Sequence, residues 1–154
     1  MTTEYEIELV DEYWLGFGKL RKLTYELLYR DFGVPEDADW YHGDVPSIHA
    51  IARYQGRLLG AARLLGSTGD AQRQLRQVLV IDEMRRRGIG AALVEDLERL
   101  AAGEGASVVW LNARDTAFSF YERLGYTYDG ELFVSEATGI PHRRMLKQVT
   151  GIAG

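Results

Sequence analysis

Two periods alternate along the chain, and the switches between them mark its elements. Residues 4–10 set Tyr5, Ile7 and Leu9 against Glu4, Glu6 and Glu8, which predicts a strand. From Asp11 the spacing becomes three and four. Tyr13, Phe17, Leu20, Leu23 and Leu27 share one face of a helix running to about Arg30, with Asp11 as N-cap and Gly33 and Pro35 closing it. Residues 33–46 form a polar loop. Its Trp40, Tyr41 and His42 suit either a substrate mouth or a cap on the core. Residues 48–54 and 58–65 predict two strands around a Gln55-Gly56 turn, and residues 74–81 the third strand of an antiparallel meander.

That third strand ends in the apolar run Val78-Leu79-Val80-Ile81. A short bend follows, then Arg85-Arg86-Arg87-Gly88-Ile89-Gly90. Ile89, Leu93, Leu97 and Leu100 next mark a helix to about Ala102, stopped at Gly103-Glu104-Gly105. Val108 to Leu111 is a buried strand, placed parallel to the preceding one by the intervening helix. Ala117, Phe120, Tyr121 and Leu124 mark a short helix capped by Asp115. Residues 126–134 and 142–149 predict two closing strands around Ala137-Thr138-Gly139, and the final TGIAG a loose end. There is no internal repeat and no linker, so one α/β domain over residues 1–154 is expected.

The arginine turn carries chemistry. The first N–H groups of a helix lack internal partners and sit at the positive end of its dipole. Glycine opens access to that backbone, and three arginines add charge, so the turn suits a phosphate group. No Gly-Lys-Ser/Thr is present for a P-loop, and Leu93 stands where a dinucleotide turn needs its third glycine. A basic turn that only starts a helix is the plainer alternative.

Composition narrows the field. The 154 residues are 46% hydrophobic and 27% charged, as in ordinary globular domains. The net charge of −5 argues against a general nucleic-acid binder and mildly favours a cationic or amine substrate. Without cysteine there are no disulfides, thiolate metal sites or cysteine nucleophiles. The three histidines lack metal-protease spacing, so no metal is expected. The sequence MTTEYEIELV has no signal-peptide pattern and no apolar run is long enough to span a membrane, so a cytoplasmic setting without membrane partners is expected.

Arg85-x-x-Gly88-x-Gly90 after an apolar strand resembles the coenzyme A motif of the GNAT family of N-acetyltransferases. The element order is also similar. So is Leu111-Asn112-Ala113-Arg114 followed by Phe120-Tyr121-Glu122-Arg123-Leu124-Gly125-Tyr126. Gly139-Ile140-Pro141-His142 through Met145 resembles the ending of the ElaA-like and YjcF-like members. The resemblance implies an α/β (α+β) GNAT fold with a mixed central sheet of about seven strands and about four helices, splayed between its two central parallel strands. It implies direct acetyl transfer from acetyl-CoA to a primary amine on a small molecule or peptide. A catalytically weak CoA-binding sensor and a binder of another phosphorylated ligand are the alternatives. Dimers are frequent among similar proteins, so a homodimer is a further expectation.

By the same resemblance, coenzyme A meets the main chain of Val78, Leu79 and Val80. Its phosphates meet Arg85, Arg86, Arg87, Gly88, Ile89, Gly90 and Ala91. Asn112 and Ser119 approach the pantetheine. Tyr121 is the general acid; a phenol of pKa about 10 can donate to a thiolate of pKa about 8.5. The general base stays open between a bound water, His49, Glu136 and His142, with His142 the first choice. Gln74 stands where some family members carry a glutamate, and it cannot take a proton.

Overall fold

The computed structural model describes residues 4–152. Its described residues build one eight-stranded sheet with three α-helices, so the sheet is one strand richer and one helix poorer than expected. The elements are β1 (Glu6–Val10), α1 (Phe17–Leu28), β2 (Ser47–Tyr54), β3 (Arg57–Leu65), β4 (Gln72–Val80) and α2 (Ile89–Gly103). They continue with β5 (Val108–Arg114), α3 (Phe118–Arg123), β6 (Thr127–Tyr128), β7 (Phe133–Val134) and β8 (Pro141–Gln148). The strand order is β1-β2-β3-β4-β5-β8-β6, with β7 also on β8. Only β4 and β5 run parallel; the other pairs are antiparallel.

Both faces of the central strands are covered. Ala50, Ala52 and Ala62 pack with Leu93, Leu97 and Val94 of α2, while Ile51, Ala61 and Leu79 pack with Leu20 of α1. Small residues in β2 and β3 let the helices approach closely. Gly60 is closed in by the neighbouring strand as well, since a Cβ there would meet the Leu79 carbonyl oxygen of β4 at 2.7 Å. The Gln55-Gly56 turn takes positive φ at both residues, 49° and 78°, as a two-residue hairpin of primed type requires. A buried polar group ties α2 to the last strands. Glu98 accepts from Tyr126 Oη at 2.8 Å and from Lys147 Nζ at 2.9 Å.

Several expectations need correction. The first helix begins at Phe17, not Asp11, and Tyr13 is exposed rather than on its buried face. The Trp14 ring lies against Gly16, where a Cβ would strike it at 2.4 Å, so residues 11–16 wind as turns. Asp11 accepts from the Tyr13 N–H instead of capping the helix. Asp115 likewise bonds only the neighbouring Thr116 N–H at 2.9 Å, and a 3-10 turn over Asp115–Ala117 precedes α3. The closing strand over 126–134 is broken into β6 and β7. Between them Asp129 pairs with Arg144, and Gly130 accepts from Arg143 Nε at 2.7 Å, which draws the chain off the ladder. At the end of the chain Val149 is fully buried and Ile152 packs on the core; residues 153–154 lie outside the described residues, as do residues 1–3 of the leader reading.

The loop over 33–46 caps the core with its aromatics. Trp40 and Tyr41 are buried against Tyr25, Tyr29 and Phe17. Arg63 of β3, fully buried, fastens the loop. It donates to the carbonyls of Tyr41 and His42 and to Ser47 Oγ, and its guanidinium lies 3.8 Å from the Tyr41 ring centroid. His49 stacks on the same ring and shares a 3.3 Å hydrogen bond with its hydroxyl. Burial, helped by the Arg63 charge, lowers the His49 pKa to about 4.

Two outcomes follow from this packing. Gly60→Ala should cost about 2 kcal/mol or more, since backbone must move to admit the methyl, read as a lower urea midpoint. His49 makes stability fall in acid. The unfolded chain protonates this ring near pH 6.5, the folded one only near pH 4, so stability declines as pH drops through that window. The full effect is about 3 kcal/mol. Urea titrations of wild type and His49→Gln at pH 7 and pH 4 should show a smaller acid loss in the variant.

Candidate active site

The parallel pair β4–β5 is joined over only three residues, Gln72↔Val108 to Gln74↔Trp110. Beyond that point each strand stays with its antiparallel neighbour. β5 follows β8 as far as Arg114↔His142, and β4 follows β3 to Val80↔Gly60. A bulge helps to steer β4 away. Gln77 has φ 53°, and the register with β3 shifts between the Ala61↔Leu79 and Arg63↔Arg76 pairs. The Gln77 amide holds the bulge, donating to Tyr29 Oη at 3.2 Å and to the Trp40 carbonyl at 3.1 Å.

A cleft of about 320 Å³ opens in the gap. Its strand walls are Gln74 to Val78 of β4 and Leu111 to Arg114 of β5, with Tyr121 of α3 beside them. The end of α1 and the following loop add Tyr29, Asp39, Trp40 and His42. The β7–β8 turn adds Ser135 and Thr138, and the start of β8 adds His142. Interior polar main chain left without a ladder partner is costly, so a gap of this kind invites a ligand that can supply hydrogen bonds.

Tyr121 is buried, with its ring edge-on to Phe120 and Tyr126. Burial raises its pKa well above that of a free phenol, so the hydroxyl keeps its proton. His142 Nδ1 lies 2.8 Å from the Ile140 carbonyl. A carbonyl can only accept, so Nδ1 carries the proton and the neutral ring offers Nε2 as its basic nitrogen. The Phe133 ring stacks on the imidazole. Asn112 is exposed on the cleft wall.

Other candidates fall elsewhere. Glu136 is exposed and outside the cleft lining, although Ser135 and Ala137 on either side belong to it. Ser119 is exposed on α3 and also outside the lining. His49 is a core residue, closed off behind Tyr41. Val78 reaches the cleft, whereas the Leu79 side chain turns into the core under α1, and Val80 is half-buried on the side of α2.

The arginine turn lies past the end of β4, and none of residues 85–91 lines the cleft. Arg85 bends back toward Asp82 at 3.2 Å; Arg86, with φ 64°, and Arg87 are exposed. Gly88 is the N-cap of α2 in the left-handed region, φ 80°, and no side chain caps the helix there. Ile89 and Gly90 are buried and Ala91 half-buried in the first turn. Gly90 has a packing reason of its own. A Cβ there would meet the Phe120 ring at 3.3 Å, so its smallness lets α3 lie against the start of α2.

Sequence reasoning missed Gln77, Arg76 and Arg114 as cleft residues. A signal was present: Gln72-Arg73-Gln74-Leu75-Arg76-Gln77 is too polar for a strand buried on both faces. Among the described residues no group of three or more His, Asp or Glu is placed to hold a metal, and no helix is long and apolar enough to cross a membrane.

Comparison with known proteins agrees with this geometry. The family model of the GNAT acetyltransferases matches residues 9–126. A candidate acetyltransferase of Bacillus subtilis (strain 168) is 35% identical over 115 residues, covering 73% of each chain. The uncharacterized N-acetyltransferase YjcF of the same organism is 30% identical over 122 residues, covering 79% of this chain and 85% of its own. Among solved structures, Escherichia coli ElaA superposes with a TM-score of 0.77 at 19% identity, covering 93% of this chain and 99% of that one. An aminoglycoside 6'-N-acetyltransferase complexed with coenzyme A gives 0.77 at 19% identity, covering 97% and 99%. The parted parallel strands, the glycine-capped α2 and the matched sequence together show that the chain belongs to the GNAT family of acetyltransferases.

Proposed function

We propose that this protein is an N-acetyltransferase that moves the acetyl group of acetyl-CoA directly to a primary amine, with the whole chain acting as one domain. The observation that carries the reading is the early parting of β4 from β5 with Tyr121 beside the opening. The residues fit coenzyme A. The parted strands supply free main-chain groups for a pantetheine arm. Past β4, an uncapped helix start with Arg85, Arg86 and Arg87 around it suits a diphosphate, close to the main chain of Gly88, Ile89, Gly90 and Ala91. No side chain obstructs the approach at Gly88. Asn112 is positioned to bond an amide at the cleft, and Ser119 is left as a peripheral contact.

Acetyl-CoA supplies an acetyl group activated as a thioester. A main-chain N–H of Val78 or Val80, on the edge of β4 turned away from β3, polarises its carbonyl, a contact that contributes about 3 kcal/mol in comparable sites, while the Leu79 N–H faces β3. His142 Nε2 accepts the proton of the incoming amine, directly or through water, while Nδ1–H stays on the Ile140 carbonyl. Glu136 would reach the site only if the turn around it moved. Tyr121 Oη donates to the departing sulfur. Burial raises the phenol's pKa, so Tyr121 holds its proton until negative charge develops on the sulfur.

One observation favours a second reading, a CoA-binding sensor with little turnover: Gln74 on the cleft wall cannot act as a base. Calorimetry with CoA and release of free CoA across an amine panel separate the two. We expect CoA binding, turnover with at least one amine class, and a fall of about 10²-fold in kcat for Tyr121→Phe. Binding without turnover, unaffected by Tyr121→Phe, would establish the sensor. Lack of CoA binding would remove both.

A further inference from the structure

The chain is acidic overall, yet its cleft is cationic. Arg76 and Arg114 line it, and Arg63 lies just behind. None of the hydrogen bonds of Arg63 goes to a carboxylate; they end on carbonyls, Ser47 and Gln77. Arg114 is fixed by the Leu28 carbonyl at 2.6 Å and by the Tyr29 and Phe32 rings. Both side chains are therefore held in place without a hydrogen bond to a carboxylate among the described residues.

Arg76 is the sharpest case. It is half-buried on β4, across from Arg63 in the ladder. Its Nε is shut away from solvent without a hydrogen-bond partner, and among the described residues it forms no ion pair. Burial is the main cause lowering the Arg63 pKa, and the Arg76 charge adds to it. The acid on the cleft wall, Asp39, is engaged with His42, accepting its N–H at 3.2 Å and lying 3.8 Å from its Nδ1. Glu12 offsets part of the Arg63 charge, but Arg76, with its Nε unmet in a partly closed space, has no ion-pair partner among the described residues. Elsewhere in the molecule arginines do find theirs: Arg73 has Glu104 and Arg57 has Glu83.

We infer that the acceptor is a small amine that also carries a carboxylate or phosphate, and that Arg76, with Arg114 nearby, binds that anionic group. This rests on the acetyltransferase reading above. None of the residues of the arginine turn lines the cleft, so the anion that Arg76 lacks is not the diphosphate assigned to that turn. A guanidinium on the cleft wall can match either oxyanion through its planar fork of donors. The acceptor shares this cleft of about 320 Å³ with the end of the pantetheine arm, which limits it to a small molecule. A polycationic acceptor would meet repulsion in the same cleft.

The test compares matched amines with acetyl-CoA, following release of CoA: glycine against glycinamide, β-alanine against its amide, and 2-aminoethyl phosphate against ethanolamine, with spermidine as the polycation. Rates are corrected to the unprotonated amine. We expect kcat/KM to favour the better anionic amine at least tenfold over its neutral partner. Arg76→Gln should abolish that preference, mainly through KM, and Arg76→Lys should keep part of it. Circular dichroism and thermal melts check that both variants fold. A second measurement does not depend on catalysis. Calorimetry with inorganic phosphate and with N-acetyl-β-alanine, without CoA, should show binding that Arg76→Gln weakens at least tenfold. Equal use of charged and neutral amines, a preference for spermidine, or an equal loss on both members of a pair would overturn the inference. If no amine is acetylated, the acetyltransferase reading fails, and calorimetry alone decides: binding lost in Arg76→Gln upholds the anion site, and no binding of either probe refutes it.

Discussion

Everything at this site depends on two parallel strands that keep better company with their other neighbours. β5 is held to β8 over seven consecutive residue pairs, from Val108↔Gln148 to Arg114↔His142, and to β4 over three. Parallel pairing is the weaker kind, and right-handed twist rotates adjacent strands apart. A bulge at Gln77 then redirects β4 toward β3. The result is a permanent gap in the centre of a sheet, where main-chain donors and acceptors would otherwise be matched. An enzyme that must hold a thin, amide-bearing arm gains a ready binding strip from this one irregularity.

The strain of that irregularity is distributed. Gln77 could not hold a positive φ on its own account, because a side chain disfavours that region. Its amide is satisfied by Tyr29 and Trp40, and Trp40 is in turn buried against Tyr25. Arg63 clamps the carbonyls of Tyr41 and His42 from the opposite strand. So the loop that forms one wall of the cleft also braces the bulge that opens it, and a change in one reaches the other.

A second linkage joins the two sequence motifs. Gly90 opens the first turn of α2 to Phe120, and Phe120 lies edge-on to Tyr121 at 4.9 Å between centroids. Behind them Tyr126 turns its hydroxyl onto Glu98 of α2, burial and then the Glu98 carboxylate raise the Tyr126 pKa, and Lys147 of β8 closes the group. The helix start suited to a diphosphate and the phenol suited to a leaving sulfur are thus parts of one packed unit. Their separation in sequence says nothing of this.

Residues with a strong local signature were legible in the chain itself. The β2–β3 hairpin, the glycine start of α2 and the apolar strands on either side of it are set by periodicity and turn chemistry, which act over a few neighbouring residues. The family motifs placed Tyr121 and His142, and both line the cleft. What the chain alone misjudged was governed by contacts from afar. The start of α1 depends on Trp14 folding onto Gly16, and the break between β6 and β7 on Arg143 and Arg144 of the next strand. The isolation of His49 depends on Tyr41. Charge shows the division most plainly. A count of −5 is a property of composition, but the field inside a cleft depends on which side chains are brought there and which have found partners. Only the tertiary structure brings Arg76 of β4 and Arg114 of β5 to the same cleft, with Asp39 as its lining carboxylate.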